Sequence, residues 1–372
     1  MREYGALPDR LMRQLIEGGF IKSASMDGIN PSSMDVTLSD EIYRVDGIFQ
    51  PMSGEKIRKL LKKIGAKKHS FAYPLERGVT YLARLNETFK LPSSVYGHCN
   101  PKSSTGRVDL HVRVLADGSS RYDTLAPAGY SGEAWIAISP KSFPILLAPG
   151  ERLAQIRFFS NGSLKFNDLE LQLRMGLWGL LFDLQTGKQI EHADMKITDQ
   201  DGSIILTLDM ECDPIGYKCA GTSRVFDFTK RNYYKPEDFF EEITRDEISR
   251  NGYLSLRGGD FYILSTIEAV RIDPRLACEM EPVDAKTGEM RSHYAGFIDP
   301  GWGWGANLSG IGRTLTLEVR PFENLIVRHG QPIGKIRFER LVECSEKLYD
   351  AMETSNYVDQ NGPRLSKHFR RS

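Results

Sequence analysis

The chain has 372 residues, 40% hydrophobic and 26% charged, with 49 Lys+Arg against 49 Asp+Glu. A formal net charge of zero excludes a strongly basic nucleic-acid binder on bulk electrostatics. No apolar run approaches the roughly 18 residues of a membrane helix, so no membrane partner is expected. The length fits two ordinary domains. The opening MREYGALPDRLMRQ has no apolar signal core, which gives a cytoplasmic expectation.

In chain order, Pro8-Asp9 leads into residues 10–18, where Leu11, Leu15 and Ile16 recur at helical spacing. Strands are expected at 34–38, 107–115, 134–139, 153–158, 203–208 and 314–320, each rich in apolar residues and bounded by Gly, Pro, Asn or Asp. Further helices are expected at 53–63 and at 235–249, the latter with Pro236 in its first turn followed by acids. Cys99, Cys212, Cys219, Cys278 and Cys344 are scattered, with no C-x-x-C, and no His begins an H-x-E. Neither a disulfide framework nor a zinc site built from short-range ligand pairs is expected.

An internal repeat decides the architecture. Residues 145–158, ILLAPGERLAQIRF, parallel residues 325–338, LIVRHGQPIGKIRF. Upstream, AGYSG (128–132) stands against DPGWG (299–303), and AWIAISP (134–140) against LTLEVRP (315–321). YLARLNETFKLP (81–92) stands against YILSTIEAVRIDP (262–274). The period of about 180 residues is too long for a solenoid. It implies two tandem copies of a mainly β unit, a sandwich or jelly-roll barrel with few helices. The expected domains are 1–170 and 171–372, divided within 167–175.

Three stretches carry chemistry. Lys102-Ser103-Ser104-Thr105-Gly106-Arg107 combines adjacent hydroxyls, amides around a Gly, and two cations, a composition suited to an anion. Asp299 opens an Asp-Pro-Gly-Trp turn, where a carboxylate at a rigid corner could accept a sugar hydroxyl. Glu318 alternates with Leu317 and Val319, so it shares a strand face with Thr316. On an open sheet that face is solvated; in a cleft the carboxyl becomes a general acid/base. The repeat sets Ala137 at the position of Glu318, while KSSTGR has no clear counterpart in the second copy. Each copy therefore holds a different half of one site.

KSSTGR, the Ala295-to-Trp302 segment AGFIDPGW and LTLE together resemble the dCTP deaminases of the dUTPase-like superfamily, in a duplicated form. PSSMDVTLSDEIYRV (31–45) and NYVDQNGPRLSKHF (356–369) are similar to that family's opening and closing segments. The resemblance implies hydrolytic deamination of dCTP to dUTP and ammonia, with no metal at the reacting carbon and no zinc. It implies Glu318 as general acid/base, with Ser103, Arg107 and the Ala295 carbonyl placing the attacking water. It implies Lys102, Ser104, Asp299, Trp302, Tyr357, Gln360 and Lys367 as nucleotide contacts, Mg²⁺ accompanying the triphosphate, and dTTP as an inhibitor. It also implies a homo-oligomer, trimer or dimer. Residues 356–372, polar and basic with little apolar content, are expected to be mobile when empty and to close as a lid over bound nucleotide. Alternatives within the same fold are a dUTP diphosphatase, a bifunctional enzyme, and a non-catalytic nucleotide binder. The sequence departs from the family at Lys102, commonly Arg, at Phe297, and at Asn356 before Tyr357.

Overall fold

The computed structural model describes residues 4–248, 250, 252–283, 290–291 and 296–371. The chain forms two compact units. Unit 1 comprises Met1–Ser163, Gly221–Tyr234 and Ser366–Ser372; unit 2 comprises Leu164–Ala220 and Lys235–Leu365.

In unit 1 the helix α1 (Asp9–Glu17) forms near the expected place; of the residues at helical spacing Leu15 is buried and Leu11 and Ile16 are half-buried, while Met12 takes the other buried apolar position. It is followed by β1 (Met34–Val36), β2 (Leu38–Val45), α2 (Ile57–Lys63), β3 (Thr80–Lys90), β4 (Val95–Pro101), the single-turn α3 (Ser103–Gly106), β5 (Leu110–Ala116), β6 (Ser131–Pro140) and β7 (Ala154–Ser160). One antiparallel sheet runs β2–β3–β6–β5, and β7 lies between β1 and β4 in a second. Unit 2 opens with α4 (Asp168–Trp178) and continues with β8 (Ser203–Thr207), β9 (Gly216–Cys219), β10 (Phe240–Ile243), β11 (Tyr262–Val270), β12 (Leu276–Glu281), β13 (Arg313–Pro321) and β14 (Pro332–Arg340). Its sheets run β10–β9–β11–β13 and β8–β14–β12.

The two units repeat down to register. Tyr81 pairs with Ile138 and Leu82 with Ala137 in unit 1; Tyr262 pairs with Val319 and Ile263 with Glu318 in unit 2. The Tyr81 hydroxyl accepts from the Glu76 amide at 3.1 Å, and the Tyr262 hydroxyl from the Arg257 amide at 2.8 Å. Glu87 accepts from the amide and hydroxyl of Thr37, and Glu268 does the same with Thr207. Burial pushes both carboxyls up while those bonds oppose it. The unit 2 core gathers Leu264, Leu315, Leu317, Val319, Ile336 and Phe338. Each such side chain contributes about 2 kcal/mol of apolar burial.

Several expectations need correction. Residues 235–249 do not form a helix: among those described are two 3-10 turns, Pro236–Asp238 and Arg245–Glu247, around strand β10. Pairing of Phe240–Ile243 with β9 and burial of Phe240 and Ile243 outweigh the helix-start signal. The supposed boundary segment is α4, begun by a capping box in which Asn167 accepts from the Glu170 amide at 2.9 Å. A linear division at 170 also misses two later segments of unit 1. Phe226 pairs in parallel with Ile145 and packs 5.5 Å from Phe143, and Phe369 lies 5.6 Å from Phe226. These aromatic side chains are buried with unit 1, which is why their segments belong to it.

Candidate active site

In unit 1, α3 carries the hydroxyl motif. The Lys102 amide donates to the Leu153 carbonyl at 2.9 Å and the Thr105 hydroxyl to the same oxygen at 3.0 Å, anchoring the turn beside β7. Ser104, Thr105 and Arg107 are buried, while Ser103 and Lys102 are partly exposed. The Arg107 amide closes the turn on the Ser103 carbonyl at 3.0 Å. Lys102 forms an ion pair with the buried Asp35, and Arg152 stands 3.9 Å from the same carboxylate.

The chain's end joins this cluster. The Ser366 hydroxyl donates to the Ser104 carbonyl at 2.9 Å and lies 2.8 Å from His368 Nδ1. Burial, then the charges of Arg231 and Lys367, push the His368 pKa down to about 2, so its ring is neutral. Lys367 lies among Lys102, Arg231, Asp35 and Glu151; burial, then the two cations, lower its pKa to about 8. Arg231 is held by Glu151 at 2.9 Å. Ser103, Ser104, Lys102, Arg107 and Lys367 thus belong to one region of unit 1.

In unit 2, Glu318 sits in mid-β13 and is 2% exposed. The open-sheet outcome for its face is therefore overturned: Thr316 and Glu318 are buried, as are Leu315, Leu317 and Val319 on the other face. The covering includes the chain's closing segment. Gln360 Nε2 donates to the Thr314 carbonyl at 2.7 Å, the Gly362 amide to Thr314 Oγ1 at 2.9 Å, and the Arg364 amide to Thr316 Oγ1 at 3.2 Å. The segment steps along β13 from Thr314 to Thr316, the direction in which Glu318 lies. The expected mobile tail is thus packed: Tyr357, Gln360 and Leu365 are buried in unit 2, and His368 and Phe369 in unit 1. Its apolar anchors and hydroxyl partners on β13 outweigh its polar composition.

Asp299 opens a turn in which the Trp302 amide bonds the Asp299 carbonyl at 3.2 Å. Pro300 and Gly301, at φ +85°, fit a type II turn, and a Cβ at Gly301 would stand 2.7 Å from Leu348 Cβ. Trp302 belongs to the core, 5.0 Å from the Tyr349 ring. Ala295 lies outside the described residues. Sequence reasoning missed Asp35, Glu151, Arg152, Arg231, Ser366 and His368. Only the closing SKHF run and the opening PSSMDV hinted at them.

The chain is thus a duplicated β fold with a serine–arginine turn in one unit and a buried carboxylate in the other. Comparison with known proteins names it further. Residues 3–162 match the family model for the 2'-deoxycytidine 5'-triphosphate deaminase N-terminal domain, and residues 181–369 the model for its C-terminal domain. The crystal structure of a 2'-deoxycytidine 5'-triphosphate deaminase from Agrobacterium tumefaciens is 33% identical, covers 93% of this chain and 100% of its own, and superposes with a TM-score of 0.81. A "dCTP deaminase, dUMP-forming" of Pseudarthrobacter chlorophenolicus is 30% identical over 148 residues, 39% of this chain and 74% of its own. Another of that name, from Corynebacterium jeikeium, is 27% identical over 196 residues, 51% of this chain and 97% of its own. The chain belongs to the dCTP deaminase family, a family of deaminating enzymes.

Proposed function

We propose that the chain hydrolyses the exocyclic C–N bond of dCTP, giving dUTP and ammonia. The observation that carries this reading is Glu318, a carboxyl buried on a strand whose same face is lined with threonine hydroxyls. Its carboxylate takes a proton from the water attacking C4, then delivers protons to the ring nitrogen and the leaving amine. Ser103, Arg107 and the Ala295 carbonyl orient that water. Lys102, Ser104 and Lys367 meet the triphosphate; Asp299, Trp302, Tyr357 and Gln360 fix the rest of the nucleotide. Trp302, Tyr357 and Gln360 do so indirectly, since their side chains are packed against protein.

The hydroxyl and ammonium groups around Lys102 and Lys367 fit phosphate oxygens better than a bare metal ion. A Mg²⁺ would be held chiefly by the triphosphate, whose negative charge it would reduce. The reading keeps no zinc and assembly as a homo-oligomer, trimer or dimer. Mixing Arg107→Ala chains with Glu318→Gln chains after co-refolding tests the assembly. Regained activity means that sites are shared between chains; none, with mixed oligomers present, assigns both halves to one chain.

A second reading follows from the printed names of the curated relatives, which are dUMP-forming: the chain carries dCTP through to dUMP and pyrophosphate. Chromatography of products from dCTP separates the two. dUTP with ammonia supports the first, dUMP with pyrophosphate the second, and unchanged dCTP overturns both.

A further inference from the structure

The two units treat the same sheet face in opposite ways. In unit 2 the face of β13 is polar, with Thr316 and Glu318. In unit 1 the matching residues of β6 are Trp135 and Ala137, by the shared register with β11 and β3. Trp135 is fully buried and Ala137 nearly so. They form one apolar cluster with Val45, Leu82 and Leu115, and with Ile57 and Leu61 of α2.

Helix α2 comes from the connection between β2 and the edge strand Lys67–Lys68. It is fastened at its start, where the Ile57 amide donates to Asp117 at 2.9 Å and Lys56 pairs with the same carboxylate at 3.2 Å. Arg58 bonds Glu41 at 2.6 Å and lies over the Trp135 ring at 5.5 Å. The matching connection of unit 2 runs from β9 to β10. Most of it, Gly221–Tyr234, belongs to unit 1, and what remains holds only the 3-10 turn Pro236–Asp238. So the loop that folds back over its own sheet in unit 1 is absent from the sheet of unit 2.

We infer that α2 is a built-in plug: it seals the unit 1 copy of the base-binding face, so each chain takes one nucleotide rather than the two its repeat would offer. Replacement of the carboxyl by Ala137 alone would leave a hollow still able to hold a pyrimidine. Ile57 and Leu61 fill that hollow with aliphatic volume, and the Asp117 and Glu41 contacts keep the helix seated. The inference rests on the reading that the Glu318 face takes the pyrimidine.

Bound nucleotide is counted per chain by equilibrium dialysis of the full-length protein with base-labelled α,β-imido-dCTP, a probe countable whether or not it is deaminated. One per chain is expected; two would overturn the plug, and none would overturn the functional reading on which it stands. Two further measurements locate the single site. Hydrogen exchange at Ile57–Lys63 is expected to stay unchanged on adding the probe; protection there would overturn the plug. Leu61→Ala is expected to lower the melting temperature yet hold kcat/KM for dCTP within about twofold. A tenfold loss of kcat/KM in folded Leu61→Ala protein would place α2 in the working site and refute the inference.

Discussion

Trp135 and Ala137 in unit 1 stand where Thr316 and Glu318 stand in unit 2, in one sheet register. One pair closes an aliphatic cluster; in the other, Thr316 Oγ1 accepts from the Arg364 amide of the closing segment and Glu318 is buried beside it on the same strand face. The backbone does not distinguish them. Side-chain identity at two positions, and the segment that covers them, separate a stretch of core from a candidate reaction centre. The hydroxyl motif shows the converse, since α3 and its partners Asp35 and Lys367 belong to unit 1. On the proposed reading each unit keeps one half of the chemistry, and the matching positions of the other unit serve as structure.

The sharpest way to break this contrast is at Glu318. Glu318→Gln keeps size and hydrogen bonding but removes the transferable proton. Ammonia release from dCTP is expected to fall about a thousandfold or more, a barrier rise of about 4 kcal/mol, with nucleotide binding within a few-fold of the parent. A kcat within tenfold of the parent would place the acid/base elsewhere.

The reverse graft probes unit 1. Ala137→Glu puts a carboxyl among Ile57, Leu61, Trp135 and Leu115. An unpaired charge in such a place costs about 3 kcal/mol. Urea melts are expected to show that loss, and turnover of the folded fraction per chain to stay unchanged. A stable variant with raised turnover would show that the unit 1 face is still open to substrate.

How much of this was legible in the sequence follows from the range of the forces involved. The repeat, and with it the equivalence of Ala137 and Glu318, could be read directly because strand registers preserve apolar spacing. KSSTGR was legible because its residues are contiguous. The burial of Glu318 was not, since alternation reports a face and says nothing of what covers it. Asp35 and Lys102 are distant in sequence, as are Ser104 and Ser366, and no local pattern announces such a pairing. The strand at Phe240–Ile243 is hidden from the sequence for the same reason, because its partner β9 decides it. The capping box at Asn167, by contrast, is a local Asn-x-x-Glu signal.

The chain's end gives a third test. Deleting Ser366–Ser372 removes the Ser366 bond to Ser104, the neutral His368 and the buried Phe369 from unit 1. Loss of one buried aromatic side chain alone costs about 2 kcal/mol. A mobile lid would leave the melting transition in place; the packed segment is expected to lower it by several degrees, with a higher KM for dCTP. Calorimetry on the truncated chain checks this. An unmoved transition would mean that these contacts are not held in solution.

The smallest expected effect isolates Lys367. Its pKa is lowered to about 8 by burial, then by Lys102 and Arg231, with Asp35 and Glu151 pulling the other way. Because the folded pKa lies below the unfolded value, the unfolded chain binds more protons between about pH 8 and pH 10.5. Lys367 therefore penalises folding in full below about pH 8, and the penalty fades as pH rises toward the unfolded pKa. A triphosphate reverses the local field: its negative charge favours the ammonium, so binding near pH 8 takes up a proton. KM for dCTP is expected to climb as pH passes from about 7.5 to 9.5, by at most about tenfold per unit, with kcat little changed by this group. Lys367→Met is expected to show a higher KM at pH 7 and to lose the slope. Lys367→Arg, charged throughout the range, is expected to keep the low KM and also lose the slope. Titration calorimetry in buffers of different ionisation enthalpy measures the proton uptake directly. If Lys367→Met matched the parent in KM and in proton uptake, the lysine would be balancing Asp35 and Glu151 alone, and the nucleotide would lie out of its reach.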